Sequence, residues 1–232
     1  MPADSKKLTA SYAEALAAFK RDSLENRIIA RLLHEHLNEA LVAPLLDVGA
    51  GPGELAELAF SDRTAFLLDL DAYRPSTNPL HHRIQGDFLD IKLSAINPGT
   101  IIFCHSLYFL SRDIERLSGQ LRQSGARTAI VVSNENIGAL TEIADRLAAA
   151  GIPCGPTFHI PLPAAKLQMR IPFSVLVKCN DFRTLSQHFV RILLNCGLTD
   201  PMLSAVEREL HRFTDSPEVQ IAEAIYWYRL RE

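Results

Sequence analysis

Residues 45–55 read LLDVGAGPGEL, with an apolar run, then glycines at every second position, then the start of a helical pattern. The apolar residues 45–48 are typical of a buried strand, and the residues from Glu54 onward favour a helix. Glycine is required between the two because it accepts positive φ and lets a ligand approach the backbone closely. The stretch therefore predicts a strand-to-helix turn that binds a nucleotide-like ligand.

The charges beside the turn favour one of two ligands. The dinucleotide fingerprint G-x-G-x-x-G would need a glycine at position 54, where this chain has Glu54. A pyrophosphate also prefers the positive end of a helix, and Glu54 and Asp47 would repel it. S-adenosylmethionine (SAM) has no phosphate and carries a cationic sulfonium and ammonium. SAM is therefore the expected cofactor and S-adenosylhomocysteine the product, with a dinucleotide enzyme as the less favoured alternative.

Composition excludes several other classes. The 232 residues carry a formal net charge of −3 with acids and bases mixed, which favours neither nucleic acid nor an anionic membrane as a partner. The four cysteines are scattered without a C-x-x-C pair, which fits a reducing cytoplasm rather than a disulfide framework or zinc site. No signal core or membrane span is expected. His34-Glu35-His36 lacks the spacing of a zinc helix, so no metal is expected.

Strand and helix patterns alternate after the turn. Buried strands are expected at 64–70, 83–85, 100–104 and 128–133, and helices at 54–60, 113–123 and 137–150. Such alternation predicts a parallel sheet with helices on both faces. Past Gly151 prolines mark an irregular stretch, followed by an extended segment at 169–179, helices at 182–195 and 202–213, and a closing strand at 220–230.

The chain is expected to be a single domain with two covering segments. Residues 1–42 form an N-terminal helical cap with helical patterns around Tyr12 to Phe19 and 28–37, the second capped by Asp22 or Ser23. Residues 43–153 form the SAM-binding core. Residues 154–232 cover the substrate and close the sheet.

Acids follow two further predicted strands. Asp69 ends the second strand, about 20 residues after the turn, where nucleotide folds place an acid on the ribose hydroxyls, and Asp71 is the alternative. Asp87 and Phe88 follow the third strand. With Asp47, Gly49, Gly51, Gly53 and His105, these residues form the candidate cofactor set.

The pattern Asp-x-Gly-x-Gly-x-Gly resembles the first motif of class I SAM-dependent methyltransferases, in which an acid at the position of Asp87 binds the adenine amine and the next side chain packs near the ring. Two flanking segments, YAEALAAF at 12–19 with SLEN at 23–26 and HSLYFLSRDI at 105–114, resemble the histamine N-methyltransferase-like branch. The resemblance implies the α/β methyltransferase sandwich, a Rossmann-like, mostly parallel seven-stranded sheet with helices on both faces. It also implies a small, nitrogen-bearing methyl acceptor, and it does not establish histamine.

When the family's site residues are transferred to this chain by position, the resemblance also implies residues that bind the substrate. Glu25 falls where the branch grips the substrate amine, and Tyr12 and Phe19 lie in the same helical signature. His105 and Glu223 stand where the branch has amides, which puts the substrate in question. His105 is the candidate base, and Tyr108 is a candidate catalytic residue, substrate wall or packing aromatic.

Three interpretations remain open. The favoured one is methyl transfer to an amine or a heteroaromatic nitrogen, for which a base must first remove a proton. A second moves the methyl group to oxygen, sulfur or carbon. A third is a catalytically silent SAM-fold subunit of a protein complex. The sequence leaves the acceptor and the oligomeric state undetermined.

Overall fold

The computed structural model describes residues 24–152, 154, 158–163, 165–194 and 200–230. The predicted helix around Tyr12 to Phe19 and the cap candidates Asp22 and Ser23 lie outside these residues. Among the described residues no helix combines the length and the apolar character that crossing a bilayer requires.

Strands and helices alternate through the described chain, as the sequence pattern predicts. In chain order they are α1 (Glu25–Leu37), β1 (Leu45–Val48), α2 (Glu54–Ala59), β2 (Ala65–Asp69), β3 (His81–Gln85), β4 (Thr100–Cys104), α3 (Leu107–Leu110), α4 (Ile114–Gln123), β5 (Thr128–Asn134), α5 (Ala139–Ala149), β6 (Lys166–Lys178), α6 (Phe182–Leu194), α7 (Asp200–Phe213) and β7 (Glu218–Arg229). Short 3-10 helices lie at Asn38–Ala40, Leu93–Ala95 and Ser111–Asp113.

The strands form one seven-stranded sheet in the order β3-β2-β1-β4-β5-β7-β6. The first five in sequence pair in parallel, and β7 pairs antiparallel to β5. The strand order reverses between β1 and β4, and open α/β sheets bind ligands at the carboxyl ends of strands beside such a point. The glycine turn follows β1 directly and therefore lies at this position.

The chain divides into two compact units. We call the first the sheet unit (Asn26–Glu135, Phe158–Phe173 and Glu223–Glu232) and the second the helical unit (Met1–Glu25, Asn136–Thr157 and Ser174–Ala222). The expectation of a single domain with two covering segments stays a prediction.

Apolar side chains alternate between the two faces of the sheet unit. Leu45, Leu67 and Ile102 point to the core that also holds Ile29 and Leu33 of α1. Their chain neighbours, such as Leu46 and Phe103, point to the opposite core beside Leu117 and Leu121 of α4. Helices cover both faces, as strands buried on each side require.

The helical unit packs α5 and α6 against α7. The helices bury an apolar stripe each, which includes Ile143, Leu185, Phe189 and Val206. Asp181 caps α6, because its carboxylate accepts a hydrogen bond from the Thr184 N–H at 2.7 Å. The same bond holds the pKa of the Asp181 carboxyl below its ordinary value.

Candidate functional site

The backbone N–H groups of the glycine turn already have acceptors inside the protein. Gly49 and Ala50 donate to the Leu68 carbonyl, and Gly53 donates to the Ala50 carbonyl. The Gly51 N–H donates to the Asp69 carboxylate at 2.8 Å, and Pro52 has no N–H. A phosphate-binding turn needs N–H groups that face the ligand. Positions 49–53 offer none, so this turn is poorly suited to a pyrophosphate.

The three glycines of the turn all have positive φ, but their surroundings differ. A Cβ at Gly49 would lie 2.7 Å from the Cβ of Ser106, and one at Gly53 would lie 2.6 Å from a guanidinium nitrogen of Arg83. At Gly51 no heavy atom of the described residues would lie within 4 Å. Gly51 is thus the position where a ligand could approach the backbone.

Arg83 on β3 stabilises the glycine turn by hydrogen bonds to two carbonyl groups of the turn. One terminal nitrogen donates to the Gly51 carbonyl at 2.5 Å and the other donates to the Pro52 carbonyl. The guanidinium also lies over the Tyr73 ring, 5.5 Å from its centroid. Arg83 was not among the predicted site residues. It adds a positive charge beside a turn that was predicted to be surrounded by acids alone.

Asp69, the last residue of β2, contacts both the glycine turn and the backbone of Asp71. Asp69 accepts from the Gly51 N–H through one oxygen and from the Asp71 N–H through the other, at 3.0 Å. Each carboxylate oxygen has a second lone pair, so Asp69 can still accept a hydrogen bond from a ligand hydroxyl. Its assignment to a ribose stays a prediction, as does the alternative Asp71.

Asp87 and Phe88 follow β3 but face different surroundings. The Asp87 carboxylate accepts from the Leu89 N–H at 2.9 Å and stays partly exposed. Phe88 is buried and packs edge-on against Phe103, with ring centroids 5.4 Å apart. Phe88 therefore belongs to the core, and only a small part of its surface remains for contact with an adenine.

The start of α1 lies beside the turn. The Asn26 side-chain amide donates to the Glu54 carboxylate at 2.9 Å, which fixes the acid at the first position of α2. Glu25, the preceding residue, is the first residue of α1 and is only 2% exposed. A carboxylate so buried is rare in proteins without a specific role. Asp47, on β1, is buried as well.

His105 follows β4 in a strained conformation beside a buried acid. Its φ of +53° lies in the left-handed region, which costs a residue other than glycine about 1–3 kcal/mol. Its Nε2 atom is buried and lies 3.5 Å from a carboxylate oxygen of Glu223, which is 0% exposed. The His105 side chain as a whole is 17% exposed, and this exposed surface belongs to atoms other than Nε2.

Ser106 fixes this geometry from the next position. Its hydroxyl donates to the Val48 carbonyl at 2.5 Å, and the His105 N–H donates to the Val132 carbonyl at 2.9 Å. The end of β4 is thus tied to β1 on one side and to β5 on the other. Glu223 reaches the same edge because β7 places it opposite Asn134, the last residue of β5.

Tyr108 lies on the short helix α3, with its ring centroid 4.7 Å from that of Phe109. This contact does not distinguish a substrate wall from a packing aromatic, so the role of Tyr108 stays a prediction. Tyr12 and Phe19, the other predicted substrate contacts, lie outside the described residues.

A second polar cluster follows β5. Arg170 donates through Nε to the buried Glu135 carboxylate at 2.7 Å, and the Tyr226 hydroxyl donates to the same oxygen at 3.1 Å. His159 stacks on the Tyr226 ring at 3.5 Å and its Nε2 lies 2.9 Å from the Tyr228 hydroxyl. Burial lowers the pKa of His159 to about 4 and raises the pKa of Tyr228 to about 12, so both are neutral at physiological pH.

Comparisons with known proteins give the fold but no close relative. No protein-family model matches the chain, and no curated protein matches it. A solved structure of a proposed methyltransferase from Bacillus halodurans C-125 is similar at a TM-score of 0.54 and 11% identity, covering 88% of this chain and 99% of the other. A proposed antibiotic-pathway methyltransferase from Anabaena variabilis ATCC 29413 is similar at 0.55 and 12%, covering 85% and 95%.

A proposed sarcosine dimethylglycine methyltransferase from Galdieria sulphuraria is similar at a TM-score of 0.50 and 12% identity, covering 87% of this chain and 85% of that one. At these identities the likeness concerns the fold alone. The expected fold is confirmed: the chain has the Rossmann-like sandwich of methyltransferases. The resemblance to the histamine N-methyltransferase-like branch is not shown by these comparisons and stays a prediction.

Proposed function

We propose that this protein is a SAM-dependent methyltransferase that acts on a small molecule, with an amine or heteroaromatic nitrogen as the acceptor. The observation that carries the proposal is the glycine turn after β1. Its N–H groups are already bonded within the protein, and an acid receives the Gly51 N–H. Of the three glycines of the turn, only Gly51 has no atom of the described residues near the position of a Cβ. These properties suit a cationic nucleoside without phosphate better than a dinucleotide.

The chain's own residues fit such a cofactor. Gly51 would allow the nucleoside to approach the backbone, Asp69 would accept from the ribose hydroxyls, and Asp87 would accept from the adenine amine. When bound, SAM supplies a methyl group activated by the positive sulfur. The protein must then orient the acceptor, exclude water and manage its proton.

His105 is the proposed base. An ammonium has no lone pair to offer, so an amine acceptor must lose a proton before it can be methylated. With Nε2 directed at the Glu223 carboxylate, the imidazole would take that proton on its other nitrogen, Nδ1. The buried Glu223 would stabilise the resulting imidazolium, because an opposite charge nearby favours the charged form.

Glu25 is the proposed anchor for a cationic part of the acceptor. Its burial at the start of α1, next to the residue that contacts Glu54, supports this role. We expect Glu25→Gln to weaken acceptor binding and to leave the affinity for SAM unchanged. Equal loss of both would indicate a role in folding instead.

A hydroxyl acceptor is the second candidate, since the same His105–Glu223 pair can remove a proton from oxygen. Incubation with labelled SAM and matched amine, imidazole, pyridine and phenol compounds would distinguish the two. The proposal predicts that mass spectrometry finds one added methyl group on a nitrogen compound, and that this product is lost with His105→Asn. Methylation of phenols only would support the second candidate. SAM binding without methylation of any compound would support a silent subunit.

A further inference from the structure

A cluster of arginines in the helical unit lies around one buried acid. Glu209 on α7 has a side chain only 7% exposed. Arg212 donates to one of its carboxylate oxygens at 2.8 Å, and Arg208 lies 3.7 Å from the same oxygen. Arg146 of α5 lies 3.9 Å from the other oxygen. Three guanidinium groups from two helices thus converge on a single buried carboxylate.

These side chains line a cavity of about 580 Å³ together with Ala149 and Ala150. This volume is within the range of small-molecule sites in proteins. The two alanines are exposed and small, so they leave the space above the arginines open. The cavity is therefore polar, cationic and large enough for more than a single inorganic anion.

Among the residues that the structure describes, the two acids that pair with these three arginines leave positive charge in excess. Besides Glu209, Glu142 lies 3.9 Å from Arg146 and is exposed, so it contributes little. Arginines near the carboxyl ends of α5 and α7 also offset the helix dipoles. Offsetting a helix dipole requires neither a buried acid beside the arginines nor arginines that converge on one cavity. The helix dipoles therefore do not explain the whole cluster.

We propose that this cavity binds a soluble, phosphate-bearing small molecule. Guanidinium groups match phosphate oxygens in paired hydrogen bonds, and Arg suits this task better than Lys because its donors form a rigid fork. Arg212 donates a hydrogen bond to Glu209, and the Arg208 and Arg146 guanidinium groups lie 3.7 and 3.9 Å from the same carboxylate, so the acid draws the three arginines together. Their side chains are between 44% and 61% exposed, which leaves donors accessible to a ligand. Because the arginines are gathered before a ligand arrives, the entropic cost of binding is lower.

The test uses the full chain and pyrophosphate as the probe, in calorimetry at constant ionic strength. We expect saturable binding to the unmodified protein and about tenfold weaker binding to Arg208→Gln, because the variant loses a charge-assisted hydrogen bond. Ala149→Glu adds bulk and negative charge to the cavity without changing the arginines, and it should abolish saturable binding. Circular dichroism would verify that both variants fold.

Arg183→Gln is the matched control. Arg183 lies on α6 of the same unit, pairs with Glu207 at 3.7 Å and does not line the cavity. The proposal predicts that its affinity for pyrophosphate is unchanged. Absence of saturable binding to the unmodified protein, or equal weakening by Arg183→Gln and Arg208→Gln, would overturn the proposal. Binding to phosphatidate vesicles without binding to free pyrophosphate would overturn it as well, since it would indicate a lipid surface.

Discussion

Gly49, Gly51 and Gly53 share a positive φ but differ in what surrounds the position of a Cβ atom. At Gly49 a Cβ would collide with the Ser106 Cβ, so packing requires glycine there. At Gly53 it would displace the Arg83 guanidinium that bonds the turn, and at Gly51 the positive φ alone favours glycine. The spacing of the glycines predicted the turn, but not which glycine has open space beside it.

Gly51→Arg should abolish SAM binding, because its side chain would fill the space that the described residues leave open at Gly51. The measurement is the calorimetric affinity for SAM. Gly138→Arg is the matched control, since Gly138 also has positive φ and open space but lies at the start of α5 in the other unit. Equal affinities of Gly51→Arg and the unmodified protein would contradict the placement of the cofactor.

His105→Asn should lower kcat on the identified acceptor by about 10²-fold, the lower range of general-base contributions. Affinity for SAM should be unchanged, because the proposed task of the imidazole is to move a proton. His82→Asn, on the exposed surface of β3, serves as the control and should leave kcat unaffected. An unchanged kcat in His105→Asn would exclude the imidazole as the base.

The helices and strands with strong apolar periodicity were predicted within a few residues. β4 was predicted at its observed bounds, because a continuous apolar run has clear ends. β3 begins at His81, two residues before the predicted start, since its buried histidine bonds the Phe60 carbonyl and does not resemble an apolar strand residue. α5 begins after Gly138, whose positive φ cannot belong to a helix.

The segment after residue 158 could not be predicted from pattern alone. His159 lies against β5 and β7 through a ring stack on Tyr226 and contacts with the Ser133 and Tyr228 hydroxyls. These partners are far apart in sequence, and no local pattern relates them. Pro161 and Pro163 correctly indicated irregular backbone at 159–163, but gave no sign of the polar cluster.

The stability of the protein should fall as the pH decreases from 6.5 to about 4. The pKa of His159 is about 4 in the folded protein and 6.5 in an unfolded chain, so the unfolded state binds more protons between these values. Stability attributable to this group is therefore complete above pH 6.5 and is lost progressively below it. Thermal unfolding midpoints across this range would measure the effect.

His159→Gln, which is neutral at every pH, should reduce the slope of that pH dependence. His82→Asn provides the control for loss of an exposed histidine. Identical slopes for His159→Gln and the unmodified protein would show that His159 is not the group responsible.

The edge of the sheet brings the candidate site together from residues distributed along the chain. The turn follows β1, Asp69 ends β2, His105 follows β4, and Glu223 arrives on β7. The contact of the glycine turn with Asp69 was predictable, because a parallel sheet places successive strand ends together. The pairing of His105 with Glu223 was not, since it depends on the antiparallel register of β7 against β5.

Arg83 also contributes to the site from a distant part of the sequence. Acids close to the turn in sequence predicted a negative environment, whereas the positively charged Arg83 reaches the turn from β3. Its charge does not restore a phosphate site, because the N–H groups of positions 49–53 are already bonded. Selectivity then depends on the whole arrangement of the turn rather than on a count of acids.

Calorimetric titration of the purified protein with SAM and, separately, with NAD tests this selectivity most directly. We predict saturable binding of SAM that is lost in Gly51→Arg, and no binding of NAD that competes with SAM or is lost in Gly51→Arg. Binding of NAD, with no binding of SAM, would contradict the proposed cofactor and the function derived from it.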